Sequence, residues 1–293
     1  MNKMLSSKKY IALFVLPAFA IFFIFGLVPI VQNVWMSLFR TDLMSPGQFV
    51  GLKNYIKLFH DSIFIQSLTN NLLMVVGSLI AHLPLALLLG NLLVHKIRGS
   101  KFFQSVFFLP SVVCGAAVGL TWSFMYNSEF GMVNAILKAL RLTNLQHQWL
   151  SDENTVIFAI IIVVMWQFVG YHMVIQMAAM RNVDPALYEA ASIDGASNWR
   201  QFWSITLPQI KPVLKVDVIL IITGSLKYFD LVFVMTGGGP SHASELLSTY
   251  MYYQGFRTMK YGYASAIGNI LLLLCMVAVA ISNFVFRAPK DDR

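Results

Sequence analysis

Four ionisable side chains interrupt one apolar run. Lys215, Asp217, Lys227 and Asp230 all fall within residues 213–235. A charge inside a lipid-crossing segment costs a few kcal/mol on insertion scales, and such residues usually face a cavity or pathway. Lys215 and Asp217 lie near one end of the run and are expected to snorkel or reach solvent. Lys227 and Asp230 are deeper. Their spacing of three would put them on one helix face, where they could pair. That pair would serve as a structural tie, as part of a polar lining, or as a proton relay. Tyr228 adjoins it, and Gln167 and Tyr171 occur in another apolar run, at 155–179. Hydroxyl, amide and aromatic groups together suit a sugar, whose edges hydrogen-bond and whose faces stack on rings. Trp166 and Phe168 read instead as lipid or helix contacts.

A second concentration of polar chemistry is Glu189–Pro212, EAASIDGASNWRQFWSITLPQIKP. Asp184-Pro185 opens a short helix, with Asp as the cap and Pro at the first helical position. Asp194-Gly195 closes it, because glycine accepts the left-handed conformation of a helix end. Ser197 can cap a second short helix, which Pro208 and Pro212 are expected to stop. Such a hairpin between two apolar runs reads as a docking surface for a soluble partner, or as an ordinary helical hairpin.

Catalytic patterns are absent. The chain has no G-x-x-x-x-G-K-S/T phosphate loop, no H-E-x-x-H and no G-x-S-x-G. Cys114 and Cys275 lie inside apolar runs and read as packing residues. His82 and His172 fall in different runs without ligand spacing and read as hydrogen-bonded packing histidines. No catalytic residue, metal site or resident cofactor is therefore expected.

The elements that must position these groups are membrane helices. The 293 residues are 57% hydrophobic and 12% charged, with a mean hydropathy of +0.67. A soluble domain is about 45–50% apolar and about 25% charged. The net charge of +8 would point to nucleic acid in a soluble protein; here it points to loops anchored at a membrane, with lipid as the neighbour and no nucleic-acid partner. Six apolar stretches, at 11–34, 67–94, 103–126, 155–179, 213–235 and 264–286, are long enough to cross a bilayer as helices. Ala18-Phe19-Ala20 resembles a signal-cleavage site, but the apolar run continues to Val31, so the first stretch is read as a retained span. The expected fold is all-α, a polytopic membrane protein with six transmembrane helices. Residues 1–10 form one terminus, 11–286 the membrane domain with its polar loop at 180–212, and 287–293 a tail.

An even number of spans puts both termini on one side. Twelve basic residues fall on that side: Lys3, Lys8, Lys9, Lys96, Arg98, Lys101, Arg181, Arg200, Lys211, Arg287, Lys290 and Arg293. Seven fall on the other: Arg40, Lys53, Lys57, Lys138, Arg141, Arg257 and Lys260. The positive-inside rule then predicts both termini and the 180–212 loop in the cytoplasm. The loops near 39–65 and 127–154 should face outside. Thr236-Gly237-Gly238-Gly239-Pro240 should break the fifth helix, and the aromatics Tyr250, Tyr252, Tyr253 and Phe256 read as an interfacial belt or as part of an outer vestibule.

The spacing of Glu189-Ala190-Ala191, Asp194-Gly195-Ala196, Phe202, Ile205, Leu207-Pro208 and Pro212 resembles the EAA motif of permease subunits of bacterial ABC importers. Phe229-Asp230 followed by Thr236–Pro240 is similar to a stretch of carbohydrate permeases of the MalF type. The resemblance covers roughly residues 10–286 and implies six core helices in the bacterial inner membrane. It implies a second, MalG-like permease subunit, two ATPase subunits that bind ATP and Mg, an extracytoplasmic solute-binding protein and a sugar substrate. It also implies that the loop is a coupling helix seated on the ATPase. That role falls on Glu189, Ala190, Ala191, Asp194, Gly195 and Ala196, with Leu207 and Pro208. The resemblance assigns no role to Lys227. A stand-alone proton-coupled transporter using Lys227 and Asp230 is the alternative.

Overall fold

The computed structural model describes residues 8–42, 44, 47–94 and 98–286, the side chains of 8–12 excepted. Of the cations in the charge count, Lys3, Lys96, Arg287, Lys290 and Arg293 lie outside the described residues, as do the side chains of Lys8 and Lys9. The chain forms two compact units, one of residues 1–61 and 251–270, the other of 62–250 and 271–293.

In the first unit, α1 (Lys8–Phe22) passes through a π turn (Phe23–Leu27) into α2 (Val28–Met36). A two-residue hairpin follows, β1 (Phe39–Arg40) against β2 (Gln48–Phe49), and then the short α3 (Lys53–Leu58). A polar ladder holds this unit together. Asn33 Nδ2 donates to Asn269 Oδ1 at 2.7 Å, Asn269 Nδ2 donates to the Tyr55 hydroxyl at 2.9 Å, and that hydroxyl lies 2.7 Å from Ser37 Oγ.

The second unit begins with α4 (Ser62–Val94), followed by α5 (Ser100–Val112), α6 (Gly115–Met125) and α7 (Met132–Ala139). Then come α8 (Val156–Arg181), α9 (Pro185–Ile193), α10 (Asn198–Gln201), α11 (Leu207–Leu226), α12 (Asp230–Met235) and α13 (Leu247–Tyr252). Helix α14 (Tyr261–Val285) runs from the first unit into the second. Helix α8 is the hub. Its apolar window is 67% buried, against 22% for α4, and it packs on α4, α5 and α11. Gly170 permits one of these contacts: a β-carbon there would collide with the Phe107 carbonyl.

Among the described residues, five helical segments are long and apolar enough to cross a membrane, or six if one bent pair counts as a span. That matches the expected count, with two corrections. The expected continuous span 103–126 is α5 and α6 meeting at 98°. Val113 and Cys114 between them are extended, with ψ of 135° and 142°. The expected stop at Pro208 and Pro212 also fails. Helix α10 continues through a π turn, Phe202–Thr206, into α11 and on to Leu226. The reason is visible twice. In both Phe23–Leu27 and Phe202–Thr206 the wide turn precedes a residue whose N–H reaches five back, Val28 to Phe23 and Leu207 to Phe202, and a proline comes next. A π turn changes the carbonyl register ahead of the proline, which has no N–H of its own. The end of the polar hairpin and the apolar span, Asn198–Leu226, thereby become one continuous rod.

Candidate functional site

The polar hairpin is built by local chemistry. Asp184 Oδ1 accepts the Ala186 N–H at 2.9 Å and caps α9, with Pro185 in the first turn. At the other end Gly195 is left-handed, φ +77°. The Ala196 N–H donates to the Ala191 carbonyl at 2.9 Å and the Gly195 N–H to that of Ser192 at 3.1 Å, the paired closure of a Schellman motif. Ser197 Oγ then accepts the Arg200 N–H and opens α10.

Three further contacts fix the hairpin to the unit behind it. The Tyr188 hydroxyl lies 2.9 Å from Thr206 Oγ1. Gln201 Nε2 donates to Ser192 Oγ at 3.0 Å and to the Ala196 carbonyl at 3.1 Å. Phe202 packs among Met180, Val183, Ile210 and Leu214. Trp199 is 71% exposed and stacked on Phe202. The outer face stays bare. Glu189, Ala190, Asp194 and Gly195 are exposed, and Ala191 and Ala196 half-buried. Leu187 is 41% and Ile193 88% exposed. A β-carbon at Gly195 would meet nothing within 4 Å. Leu207 and Pro208 sit on the rod itself, Leu207 packed against the cluster around Phe202.

The second set of expected residues gathers at two helix breaks. Helix α11 ends at Leu226 and α12 begins at Asp230, so Lys227 and Asp230 flank a break and do not share a helix face. No salt bridge joins them among the described residues; both are exposed, and the expected pair is not formed. Gln167, 1% exposed on α8, links the two breaks. Its Oε1 accepts the Tyr228 hydroxyl at 2.8 Å, and its Nε2 donates to the Val113 carbonyl at 3.1 Å. Asn71 donates to the Leu226 carbonyl at 3.1 Å and accepts the Leu247 N–H at 2.8 Å, and Ser248 Oγ donates to the Tyr228 carbonyl. Side chains thus satisfy the carbonyls that broken helices release, the condition for irregular backbone at membrane depth. Gly119 lets α6 approach this junction, where a β-carbon would meet the Leu231 carbonyl at 3.2 Å. Phe168 sits edge-on to Tyr228. Tyr171, 38% exposed, contacts His172 rather than the junction.

Asp217 departs furthest from expectation. It neither snorkels nor reaches solvent; it is fully buried. His172 Nδ1 lies 2.7 Å from Asp217 Oδ1, and Gln176 Nε2 donates to Asp217 Oδ2 at 2.6 Å. The ring of His82 on α4 lies 5.1 Å from that of His172. This cluster ties α8 to α11, the two helices that lead into and out of the hairpin. The spacing of His172 and Gln176, four apart on one helix face, was the available signal; the carboxylate that completes the set lies 41 residues beyond Gln176.

The helical architecture thus carries a capped, exposed hairpin between α8 and α11. Residues 6–290 match the family described as binding-protein-dependent transport system inner membrane component, and the chain belongs to that family. It is therefore a multi-pass membrane component of an ABC importer, and not itself an enzyme. The chain is 39% identical over 293 residues to a probable ABC transporter permease of Bacillus subtilis, YurN, covering 99% of this chain and 100% of that one. It is 34% identical to the lactose transport system permease LacF of Rhizobium radiobacter, covering 96% and 94%. With the trehalose/maltose permease MalF of Thermococcus litoralis it shares 31%, covering 99% of each. Among solved structures, one chain of a bacterial ABC transporter that imports the acidic polysaccharide alginate superposes with a TM-score of 0.81 over 96% of each chain, at 24% identity. That likeness speaks to the fold.

Proposed function

We propose that this permease carries a sugar, a mono- or oligosaccharide or a related polyol or glycerol-phosphate compound, delivered by an extracytoplasmic solute-binding protein. The reading is supported by the relatives named for lactose and for trehalose and maltose uptake, each aligned over nearly the whole chain. A second, MalG-like permease subunit and two copies of a separate ATPase complete the importer, with both termini in the cytoplasm. ATP and Mg bind in the ATPase. The observation that carries the coupling role is the closure of α9 at Gly195, which leaves Glu189, Ala190 and Ile193 facing outward from a hairpin anchored by Tyr188 and Phe202. Closure of the ATPase pushes this hairpin, the Asp217–His172 tie keeps α8 and α11 together, and the rod of α10 and α11 moves the break at Lys227–Phe229. The exposed Lys227 and Asp230, with Tyr228, Gln167 and Tyr171, contribute to the polar path. The stand-alone proton-coupled alternative loses its motif, because Lys227 and Asp230 flank a helix break without pairing.

The test is uptake of radiolabelled disaccharides by cells that carry the complete importer. Gly195→Trp places a large side chain on an open surface. It should abolish uptake while leaving the amount of chain in the membrane unchanged. Unaltered uptake, together with unaltered ATPase co-purification, removes the coupling role.

A further inference from the structure

The first unit holds a concave site of about 750 Å³ that the transport reading does not use. Arg40, Lys53, Lys57 and Lys260 line it, with Asn54, Tyr263 and a single carboxylate, Asp42. These four are a majority of the seven cations that the charge count leaves on the side opposite the termini. They come from separate elements: Arg40 from β1, Lys53 and Lys57 from α3, and Lys260 from the turn before α14.

The framework around them is fixed. Asn54 Nδ2 donates to the Ser37 carbonyl at 2.7 Å and to that of Phe39 at 3.0 Å. The Tyr261 N–H donates to the Thr41 carbonyl at 3.1 Å, and a β-carbon at Gly262 would collide with the Phe39 carbonyl. Lys57 Nζ sits 5.3 Å above the Tyr263 ring. Arg40, Lys53 and Lys260 have no hydrogen-bonding or ion-pair partner for their side chains among the described residues. Four cations gathered around one hollow repel one another unless an anion joins them.

The rim says which anion. Leu52, Ile56 and Phe59 are 64%, 59% and 59% exposed, and their spacing puts them on one stripe of α3 and its two flanking cap residues. Lys53 and Lys57 form the neighbouring stripe. Phe49 and Phe256, each 63% exposed, extend the apolar rim. The apolar span Leu13–Met36 ends beside this site and the span Tyr261–Val285 begins there. The hollow therefore lies at the depth where hydrocarbon gives way to headgroups. A short helix with lysines on one stripe and exposed aliphatic and aromatic groups on the next is an interfacial element. We propose that this site binds the headgroup of an anionic phospholipid. Arg40 and the lysines hold the phosphodiester, and the acyl chains lie against the exposed Leu52, Ile56 and Phe59. The assignment needs only that the chain spans a membrane, and it holds for either leaflet.

The test uses the full chain, with any subunits that co-purify, in nanodiscs of mixed phosphatidylglycerol and phosphatidylcholine. Native mass spectrometry counts the lipids retained on release. The wild type should retain phosphatidylglycerol preferentially. Lys53→Gln with Lys57→Gln should lower that preference about fivefold for each neutralised cation. The Lys53→Arg, Lys57→Arg variant should keep it, as should Lys101→Gln with Lys211→Gln elsewhere on the chain. Equal retention by wild type and the glutamine variant overturns the proposal. So does displacement of the lipid by millimolar inorganic phosphate, which would make the site one for a free anion. Unchanged lipid retention with lost capture of a solute-binding protein would assign the patch to protein docking instead.

Discussion

The hairpin at 184–197 and the junction around Gln167 differ in the reach of the bonds that shape them. Asp184 to Ala186, Ala196 to Ala191, Gly195 to Ser192 and Ser197 to Arg200 all close within five residues of chain. Gln167 reaches Val113 and Tyr228, 54 and 61 residues away, and Asn71 reaches Leu226 across 155. The first region presents an open face held in shape by short-range bonds within its own stretch of chain. The second is a buried polar knot held in shape by distant side chains. The difference teaches where function tolerates change: the hairpin can lose a bond and still fold, whereas the knot leaves an unpaired group in an apolar interior.

The largest effect should follow from cutting the tie behind the hairpin. Asp217→Leu strands His172 and Gln176 without their acceptor. Two buried donors left unpaired cost about 1–3 kcal/mol each, so the solubilised protein should show a strongly lowered Tm or fail to accumulate. Asp217→Asn keeps one acceptor oxygen and should be milder. A Tm unchanged in Asp217→Leu would mean that the tie is idle. Next comes Gln167→Leu, which leaves the Tyr228 hydroxyl and the Val113 carbonyl unpaired at about 1–3 kcal/mol. Its Tm should fall less than that of Asp217→Leu, and transport should fall with it because both helix breaks lose their common bridge. A smaller effect is expected at the hairpin. Gly195→Ala meets open space and costs only the left-handed backbone, about 1 kcal/mol. Its Tm should barely move, and hydrogen exchange at Gly195 and Ala196 should quicken. A loss of stability as large as that of Asp217→Leu would erase the contrast between the two regions.

The same contrast explains what could be read before the structure. Caps at Asp184 and Ser197 and closure at Gly195 are local, so residue types at fixed offsets announce them. The six apolar stretches are equally local in origin, since each needs only composition and length. Three features were hidden. The 98° bend at Val113–Cys114 is supported by Gln167 on another helix, whose Nε2 donates to the freed Val113 carbonyl. Pro208 looks like a helix stop until the π turn at Phe202–Thr206 shifts the carbonyl register ahead of it. Lys227 and Asp230 look like a pair at helical spacing because nothing nearby reveals that Asn71 and Ser248 support an unwound backbone between them. In each case the deciding group lies in another segment, beyond the reach of periodicity.

The central claim is that the exposed face of α9 docks a separate ATP-hydrolysing subunit. Cysteine cross-linking tests it most directly. Cys114 and Cys275 are replaced by serine, Ile193→Cys is introduced at the outward tip of the helix, and the chain is expressed with its ATPase in native membranes. A short reagent that attaches to the thiol at one end and is photoreactive at the other should then join this position to the ATPase on illumination, with a yield that changes when ATP is added. Cysteine at Leu140, 62% exposed beyond α7, should give no such product. Absence of any cross-link from Ile193→Cys, or equal yields from both positions, would contradict the claim.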